Sequence, residues 1–225
     1  MVFILNIETA TKNCSVSISK DGETVLCKEI AELGYSHAEK LHVFIEELLI
    51  ETNLKYTDLN AIAVSQGPGS YTGLRIGISA AKGLCYALDI PLIALDTLAI
   101  LAAQVHIEEG LIIPMIDARR MEVYSAVFDA HHQKVIETQA EIINEDSFKN
   151  YKEKLYLIGD STEKCKAILT NSNFIFKEEI KYPSSKEMSF LSLEKYKKKD
   201  FVNVAYFEPL YLKDFVATTP KTIIK

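Results

Sequence analysis

The first thirty residues of the chain show the two-residue period of β-strands. Residues 2–7 form an apolar run, and residues 14–19 alternate, with Val16 and Ile18 on one face and serines on the other. This alternation predicts a half-buried strand with the serines on its polar face. Asp21 and Gly22 follow, a dipeptide typical of hairpin turns, and lead into a third strand at residues 23–30. The segment is therefore predicted to be an antiparallel meander.

The period then changes to that of helices. Ser36 and Glu39 form a capping-box pattern, which predicts a helix over residues 36–52. The elements expected after it are a strand at 61–65, a tight loop at 66–69, a helix at 71–88, a strand at 90–95, and a helix capped by Asp96 or Thr97 that ends near residue 105. The order β-β-β-α-β-α-β-α predicts a mixed sheet in which crossover helices make the later strands parallel.

This order is similar to that of the ribonuclease-H-like fold, the building block of the actin-like ATPases. The second half of the chain has a looser pattern, with predicted strands at 111–117, 122–129, 134–141 and 155–158, helices at 145–151, 161–169 and 184–199, and an extended tail at 208–213. We predict an α/β protein with a two-lobed actin-like ATPase fold. Residues 1–109 would form a ribonuclease-H-like lobe with a partner surface, and residues 110–225 a reduced second lobe.

Charge narrows the classes of partner. The 225 residues carry a formal charge of −6, and residues 1–110 hold 7 basic and 14 acidic side chains against 18 and 17 in the remainder. Nucleic-acid phosphates require clustered lysine and arginine, so the acidic half does not favour them. The basic cluster at residues 195–199 fits a solvated helix end better than an RNA contact. The scattered cysteines and histidines predict no metal site, and no apolar run predicts a membrane span or a signal peptide, so we expect a cytoplasmic protein.

The helix predicted at residues 71–88 has two faces. One is an ordinary sheet-packing stripe, and the other carries Gly73, Gly77, Ala80 and Leu84. A glycine inside a helix costs roughly 0.8–1 kcal/mol relative to alanine, so another element should pack closely against this face. The residues leave two interpretations open: the helix at 36–52 of the same chain alone, or an added helix of another subunit. The second interpretation gives a partner surface that includes, from the first helix, His42, Val43, Glu46 and Ile50.

The loop between the strand at 61–65 and this helix is rich in glycine. Its motif residues are Gly67, Pro68, Gly69, Ser70, Thr72 and Arg75. A helix N-terminus can bind an anion, but the loop matches neither common phosphate-binding pattern and has no lysine at the required position. We therefore favour a tight turn with close helix–sheet packing, and we expect Arg75 to form a surface ion pair.

The same segment carries a family resemblance. The run GPGSYTGLRIG at residues 67–77 and AKGL at 81–84 resemble the signature of the TsaB (formerly YeaZ) family. The stretches ILNIETAT at 4–11, IDAR at 116–119 with EVY at 122–124, and PLYLK at 209–213 are also similar to that family. The resemblance extends over the whole chain, is dense over residues 1–100, and becomes patchy after residue 130.

The resemblance implies a non-catalytic subunit. TsaB-like proteins are inactive paralogues of the catalytic subunit TsaD, with which they pair through helices of the N-terminal lobe. The complex transfers threonylcarbamoyl to adenosine 37 of tRNAs that read codons beginning with A. The resemblance also implies further partners: a TsaE-like ATPase, a second copy of the chain when the protein is alone, and tRNA through the complex. It implies no membrane partner. No tightly bound cofactor is expected, and ATP with Mg²⁺ only in the complex.

Two comparisons, one with the sister family TsaD and one with the whole superfamily, support the expectation of a non-catalytic subunit. Aligned on the glycine loop, the two metal-binding histidines of TsaD correspond here to Thr97 and Leu101, which cannot replace them. Asn6 and Thr9 stand where this superfamily usually has aspartate and glycine in its first phosphate loop. Glu8, Thr9 and Asp117 remain as candidate contacts to a residual nucleotide and Mg²⁺, but we favour turn-capping or solvated roles for both acids.

Three functions therefore compete at this point. The first is a non-catalytic scaffold that activates a TsaD-like partner, and it is the one we favour. The second is a standalone ATPase or small kinase of the actin-like superfamily, against which the altered phosphate loop argues. The third is a metallopeptidase, against which the replaced histidines argue.

Overall fold

The computed structural model describes residues 1–31 and 37–213 of the chain. Its first sheet contains five strands in the order β3-β2-β1-β4-β5. Their bounds are β1 Phe3–Glu8, β2 Asn13–Lys20, β3 Glu23–Ala31, β4 Ala61–Gly67 and β5 Leu92–Asp96. Strands β1, β2 and β3 pair antiparallel, whereas β4 pairs parallel with both β1 and β5. The predicted meander followed by crossover units is therefore confirmed.

Three helices accompany this sheet in the first half of the chain: α1 His37–Glu51, α2 Tyr71–Leu88 and α3 Thr97–Ala102. The predicted N-cap Ser36 lies outside the described residues. Ser70 caps α2 by accepting a hydrogen bond from the Gly73 amide, and Asp96 caps α3 by accepting from two amides. Helices α1 and α2 lie side by side on one face of the sheet, where they share a buried core with β1, β2 and β4.

The serines of β2 are not on a solvated face. Ser15, Ser17 and Ser19 are at most 1% exposed, because a segment about 170 residues further along the chain covers them. The Ser15 and Ser185 hydroxyls are 2.8 Å apart, and the Ser17 hydroxyl donates to the Ser185 carbonyl at 2.8 Å. The prediction of a half-buried strand was wrong for this reason: hydrogen bonds to a distant segment satisfy its polar face.

The second sheet repeats the topology of the first. Its strands run β10-β9-β6-β7-β8. In each sheet the first strand in chain order is central and lies between the second and the fourth: β1 lies between β2 and β4, and β6 between β7 and β9. Their bounds are β6 Leu111–Asp117, β7 Glu122–Asp129, β8 Lys134–Ile142, β9 Leu155–Ile158 and β10 Phe174–Phe176. Two further helices are α4 Thr162–Lys166 and α5 Met188–Lys198. Both sheets thus have the strand order of the ribonuclease-H-like fold, which confirms the predicted two-lobed α/β class.

Several element predictions in the second half were wrong. Residues 145–151 form turns, with Phe148 at φ 61°, and not a helix. Helix α4 is five residues long where nine were predicted, and α5 begins four residues later than expected. The strand β10 was missed, since its three residues are too few to show a period.

Two helices pack against the sheet on the other side of the lobe boundary predicted near residue 110. All five strands of the first sheet precede it and all five of the second follow it. Helix α3, however, lies between the sheets, with Ile100 packed against the first and Leu98 and Leu101 against the second. Helix α5 returns to the first sheet, where Met188 joins the core on the face opposite α1 and α2. Among the described residues, no helix has both the length and the apolarity needed to cross a membrane.

Candidate partner interface

The turn between β1 and β2 is packed under the N-terminal half of α2. The Thr9 hydroxyl donates to the Gly73 carbonyl at 2.8 Å. A Cβ atom at Gly73 would lie 2.1 Å from the Thr9 carbonyl oxygen, and one at Gly77 would lie 2.2 Å from the Thr9 hydroxyl oxygen. The element that requires these two glycines is therefore this turn, and neither α1 nor a partner helix. The earlier explanation of Gly73 and Gly77 as part of a partner surface is corrected accordingly.

The glycine-rich loop uses its amides within the chain. The Ser70 amide donates to the Ala10 carbonyl at 2.7 Å, and the Gly67 amide donates to the Thr97 hydroxyl at 3.1 Å. Gly67 and Pro68 are buried, Gly69 and Ser70 are partly buried, and Thr72 is exposed. With these donors occupied, the loop acts as a tight turn between strand and helix, and a phosphate would have to compete with these contacts.

Arg75 forms no ion pair with the residues that the structure describes, contrary to the prediction. Its guanidinium lies over the Tyr71 ring, 4.1 Å from the centroid, and its Nε donates to the Tyr211 hydroxyl at 3.0 Å. The two tyrosine rings are 5.0 Å apart. Arg75 thus joins α2 to the extended C-terminal segment through a cation–π contact and a hydrogen bond, for which no neighbouring carboxylate is needed.

Glu8 ends β1 in a fully buried position. One carboxyl oxygen accepts a hydrogen bond from the Ala10 amide at 2.6 Å, while the other has no hydrogen-bond partner among the described residues. The Ser65 hydroxyl lies near this carboxyl group, but the two do not meet the geometry of a hydrogen bond. Desolvation raises the pKa of Glu8 to about 8, so the side chain is largely protonated at neutral pH. A neutral buried carboxyl group is a poor ligand for Mg²⁺.

Asp117 occupies the equivalent position at the end of β6, but its surroundings differ. Its carboxylate is about half exposed and forms an ion pair with Lys164. Its amide donates to the Asp160 carboxylate at 2.8 Å, and burial raises the pKa of Asp160. Within the described residues, no group of three or more His, Cys, Asp or Glu side chains could hold a metal ion. Glu8, Thr9 and Asp117 are therefore engaged by contacts within the chain: a backbone amide, a backbone carbonyl and a lysine, respectively.

The two positions aligned with the TsaD histidines are part of the protein core. Thr97 and Leu101 are both fully buried. The Thr97 hydroxyl accepts from the Gly67 amide, and Leu101 packs among apolar residues between the sheets. At these two positions the metal-binding histidines are therefore replaced by residues that pack in the core and, for Thr97, accept a backbone hydrogen bond.

The outward surface of α1 matches the sequence prediction in its exposure. His42, Val43, Glu46 and Ile50 are exposed, with Ile50 at 78%. Ala80 and Leu84 of α2, predicted with them, are instead partly buried against the core shared with α1. The outward positions of α2 are Ser79, Gly83 and Tyr86, and Tyr86 is 85% exposed. Sequence reasoning missed them, although their helical spacing opposite the sheet-packing stripe could have revealed them.

Comparison with known proteins agrees with this picture. The family model for TsaD, tRNA N6-adenosine threonylcarbamoyltransferase, matches residues 31–224. The tRNA threonylcarbamoyladenosine biosynthesis protein TsaB of Bacillus subtilis is 32% identical over 202 residues, which cover 85% of this chain and 87% of that protein. The TsaB of Escherichia coli is 29% identical over 224 residues, covering 95% and 96%. A tRNA N6-adenosine threonylcarbamoyltransferase of Staphylococcus haemolyticus is 39% identical over 128 residues, covering 50% and 37%.

Solved structures show the same fold. YeaZ from Pseudomonas aeruginosa superposes with a TM-score of 0.81 at 24% identity, covering 94% of this chain and 100% of that one. This structural similarity shows the fold alone, whereas the sequence matches show the family. The chain therefore belongs to the family of the TsaD model, tRNA N6-adenosine threonylcarbamoyltransferase, and within it to the TsaB (YeaZ) proteins.

Proposed function

We propose that this protein is the non-catalytic subunit of a complex that transfers threonylcarbamoyl to N6 of adenosine 37 in tRNAs reading codons that begin with A. It would act by pairing with a TsaD-like catalytic subunit. The observation that carries the proposal is the buried packing of Thr97 and Leu101 at the positions aligned with the partner's metal-binding histidines. A chain without these ligands needs another subunit for chemistry that depends on them.

The surface proposed for the TsaD-like partner is the outward face of α1 and α2. It contains Val43 and Ile50 on α1 and Gly83 and Tyr86 on α2. Exposed aliphatic and aromatic side chains of this kind form the cores of protein interfaces. Gly83 has no atom within 4 Å of the position of a Cβ, which leaves room for a helix of the partner to approach. Alone, the protein would use the same face to form a homodimer.

The remaining partners follow the same proposal. A TsaE-like ATPase would join the pair, tRNA would be reached through the complex, and the assembly would work in the cytoplasm. The packed turn at Thr9 and the neutral Glu8 support the absence of a tightly bound nucleotide in this subunit. ATP and Mg²⁺ would act only in the complex with its partners.

The function is tested by reconstitution. Threonylcarbamoyl transfer to an unmodified tRNA transcript is measured with the TsaD-like subunit alone, with this protein alone, and with both, in the presence of the TsaE-like ATPase and threonylcarbamoyl-adenylate. Transfer should require both proteins. Transfer by this protein alone would overturn the non-catalytic assignment, and full transfer by the partner alone would remove the need for this subunit.

The surface is tested with a charged double variant. V43D with I50D should abolish co-purification with the TsaD-like subunit, because two carboxylates would be desolvated in the interface. Thermal unfolding of the free protein should change little, since both side chains are exposed. Val135 on β8 provides the control: it is 52% exposed, against 45% for Val43, and V135D should leave the complex intact. Complex formation by the double variant would exclude this face.

A further inference from the structure

The hairpin between β6 and β7 turns through two arginines in a strained conformation. Arg119 has φ 73° and Arg120 has φ 54°. The left-handed region costs a residue with a Cβ about 1–2 kcal/mol, and turns of this kind usually contain asparagine or glycine. Strain of this kind persists where the surrounding structure or a function maintains it. Neither arginine is buried, so core packing does not explain the choice of residue.

The acidic residues beside this turn are already paired with lysines. Asp117 forms an ion pair with Lys164, and Glu122 forms one with Lys213. Lys164 also donates to the carbonyl oxygens of Arg120 and Glu122, both at 2.8 Å, which ties it to the hairpin. Consequently, neither arginine side chain has an ion pair or hydrogen bond within residues 1–31 and 37–213. Their charges are available to a ligand.

A third unpaired cation lies on the turn that follows β1. Lys12 is exposed and forms no ion pair with the residues that the structure describes. It is near enough to Asp160 to lower the pKa of that carboxyl group, and Asp160 accepts a hydrogen bond from the Asp117 amide. Lys12 therefore lies near Asp160 and, through it, near the end of β6 that leads into the arginine hairpin.

We propose that Arg119 and Arg120, assisted by Lys12, bind the phosphodiester backbone of the tRNA that the complex modifies. This inference rests on the proposed function. The planar guanidinium donates two parallel hydrogen bonds to a phosphate, which a lysine cannot do. The alternative ligand is an acidic protein surface. Such an interface would be expected to bury apolar side chains around the arginines, but Met121 beside them is already partly buried within this chain. A local phosphate contact is compatible with a net charge of −6, because it needs only a few cations.

The test measures tRNA binding by the complex of this protein with its TsaD-like subunit. The probe is an unmodified tRNA transcript that reads a codon beginning with A, titrated at several NaCl concentrations. R119Q with R120Q should weaken binding about tenfold and lower the slope of log Kd against log salt by about 1–2, since each lost phosphate contact removes about one released counterion. An unchanged Kd and slope would overturn the proposal.

Two further variants separate this site from general charge and from folding. K198Q with K199Q removes the same charge from the end of α5, where neither lysine forms an ion pair with a described residue, and should leave binding unchanged. R119N with R120G places residues suited to positive φ in the turn, so it should raise Tm and still weaken binding. Equal weakening by the lysine variant, or wild-type binding by the Asn–Gly variant, would contradict a specific arginine site.

The same samples distinguish this inference from the function on which it rests. If wild-type protein and the TsaD-like subunit do not assemble, the proposed function fails and this inference fails with it. If they assemble and transfer threonylcarbamoyl, while the R119Q/R120Q complex binds tRNA as tightly as wild type, only the arginine site is rejected.

Discussion

The turns after β1 and after β6 hold equivalent positions in two sheets of the same topology, but their environments are opposite. Glu8, Thr9 and Ala10 in the first turn are fully buried. Asp117, Arg119 and Arg120 in the second are exposed. The acid that ends the central strand is neutral at pH 7 in the first case and paired with a lysine in the second. Equal topology therefore does not imply equal chemistry.

The helix that follows the fourth strand of each sheet accounts for this difference. Helix α2 has 18 residues, and its first turns lie directly against Thr9. Helix α4 has five residues and contacts the hairpin through Lys164. The first turn is thus closed by packing, and the second remains open to a ligand. The same strand order can therefore end in a turn packed under a helix in one lobe and in an exposed turn in the other.

The largest expected effect concerns the buried acid of the first turn. Its folded pKa of about 8 exceeds the ordinary value of 4.5, so the folded state binds more protons between these values. The contribution of this residue to stability should therefore be fully present below about pH 4.5 and be lost as the pH rises from there through 8, by about 5 kcal/mol in total. E8Q should remove this loss, as measured by urea unfolding between pH 5 and 9.

The second turn supplies the control for that experiment. D117N removes an ion pair whose carboxylate is half exposed, and the asparagine oxygen can still accept the hydrogen bond from the Arg119 amide, so the free energy of unfolding should change by less than about 1 kcal/mol. Its stability should follow the wild-type dependence on pH. If E8Q also follows the wild-type curve, the buried carboxyl group is not the source of the dependence, and the contrast between the turns weakens.

The next effect tests the closure of the first turn by α2. G77A places a methyl group 2.2 Å from the Thr9 hydroxyl oxygen, so it should lower the free energy of unfolding by about 2 kcal/mol. T9A removes that oxygen, and the double variant T9A/G77A should recover part of the loss. Urea unfolding of the two single variants and the double variant measures this coupling.

Gly83 offers a matched control on the same helix. It is exposed and has nothing within 4 Å of a Cβ position. G83A should raise the free energy of unfolding by about 0.5–1 kcal/mol, because alanine is the better helix former. If G77A stabilises the protein as G83A does, the close contact with Thr9 does not explain the glycine.

An effect similar in size to that of G83A concerns strain in the second turn. R119N with R120G should raise the free energy of unfolding by about 1 kcal/mol, since both new residues tolerate the positive φ values found there. Thermal and urea unfolding measure the change. A destabilised variant would mean that the arginine side chains stabilise the hairpin. The claim that they are available to a ligand would then be wrong.

Local patterns were sufficient for the elements of the first lobe. The helix at residues 71–88 was predicted with the bounds that the structure shows, because its apolar stripe is a local signal. The hairpin at Asp21 and Gly22 was likewise predicted, and both residues have positive φ. The outward face of α1 followed from the same helical period. In the second lobe the elements are short, so their signals were weaker.

The site was predictable only in part. Sequence alignment located Thr97 and Leu101, but only the structure shows that both are core residues. The glycines of α2 signalled a close contact, yet the element that makes it, Thr9, lies 64 and 68 residues earlier in the chain. A helical period reports which positions share a face, and it carries no information on what covers that face.

The sequence by itself determined the order of strands and helices in the first lobe, the family and the absence of histidines at the aligned metal positions, because these depend on local period and residue identity. Only the tertiary structure decided that the serines of β2 are covered by residues near Ser185, that Glu8 is buried and largely neutral, and that Arg119 and Arg120 are exposed with positive φ. Each of these depends on segments far apart in sequence. Burial, and with it charge, is set by what packs against a residue.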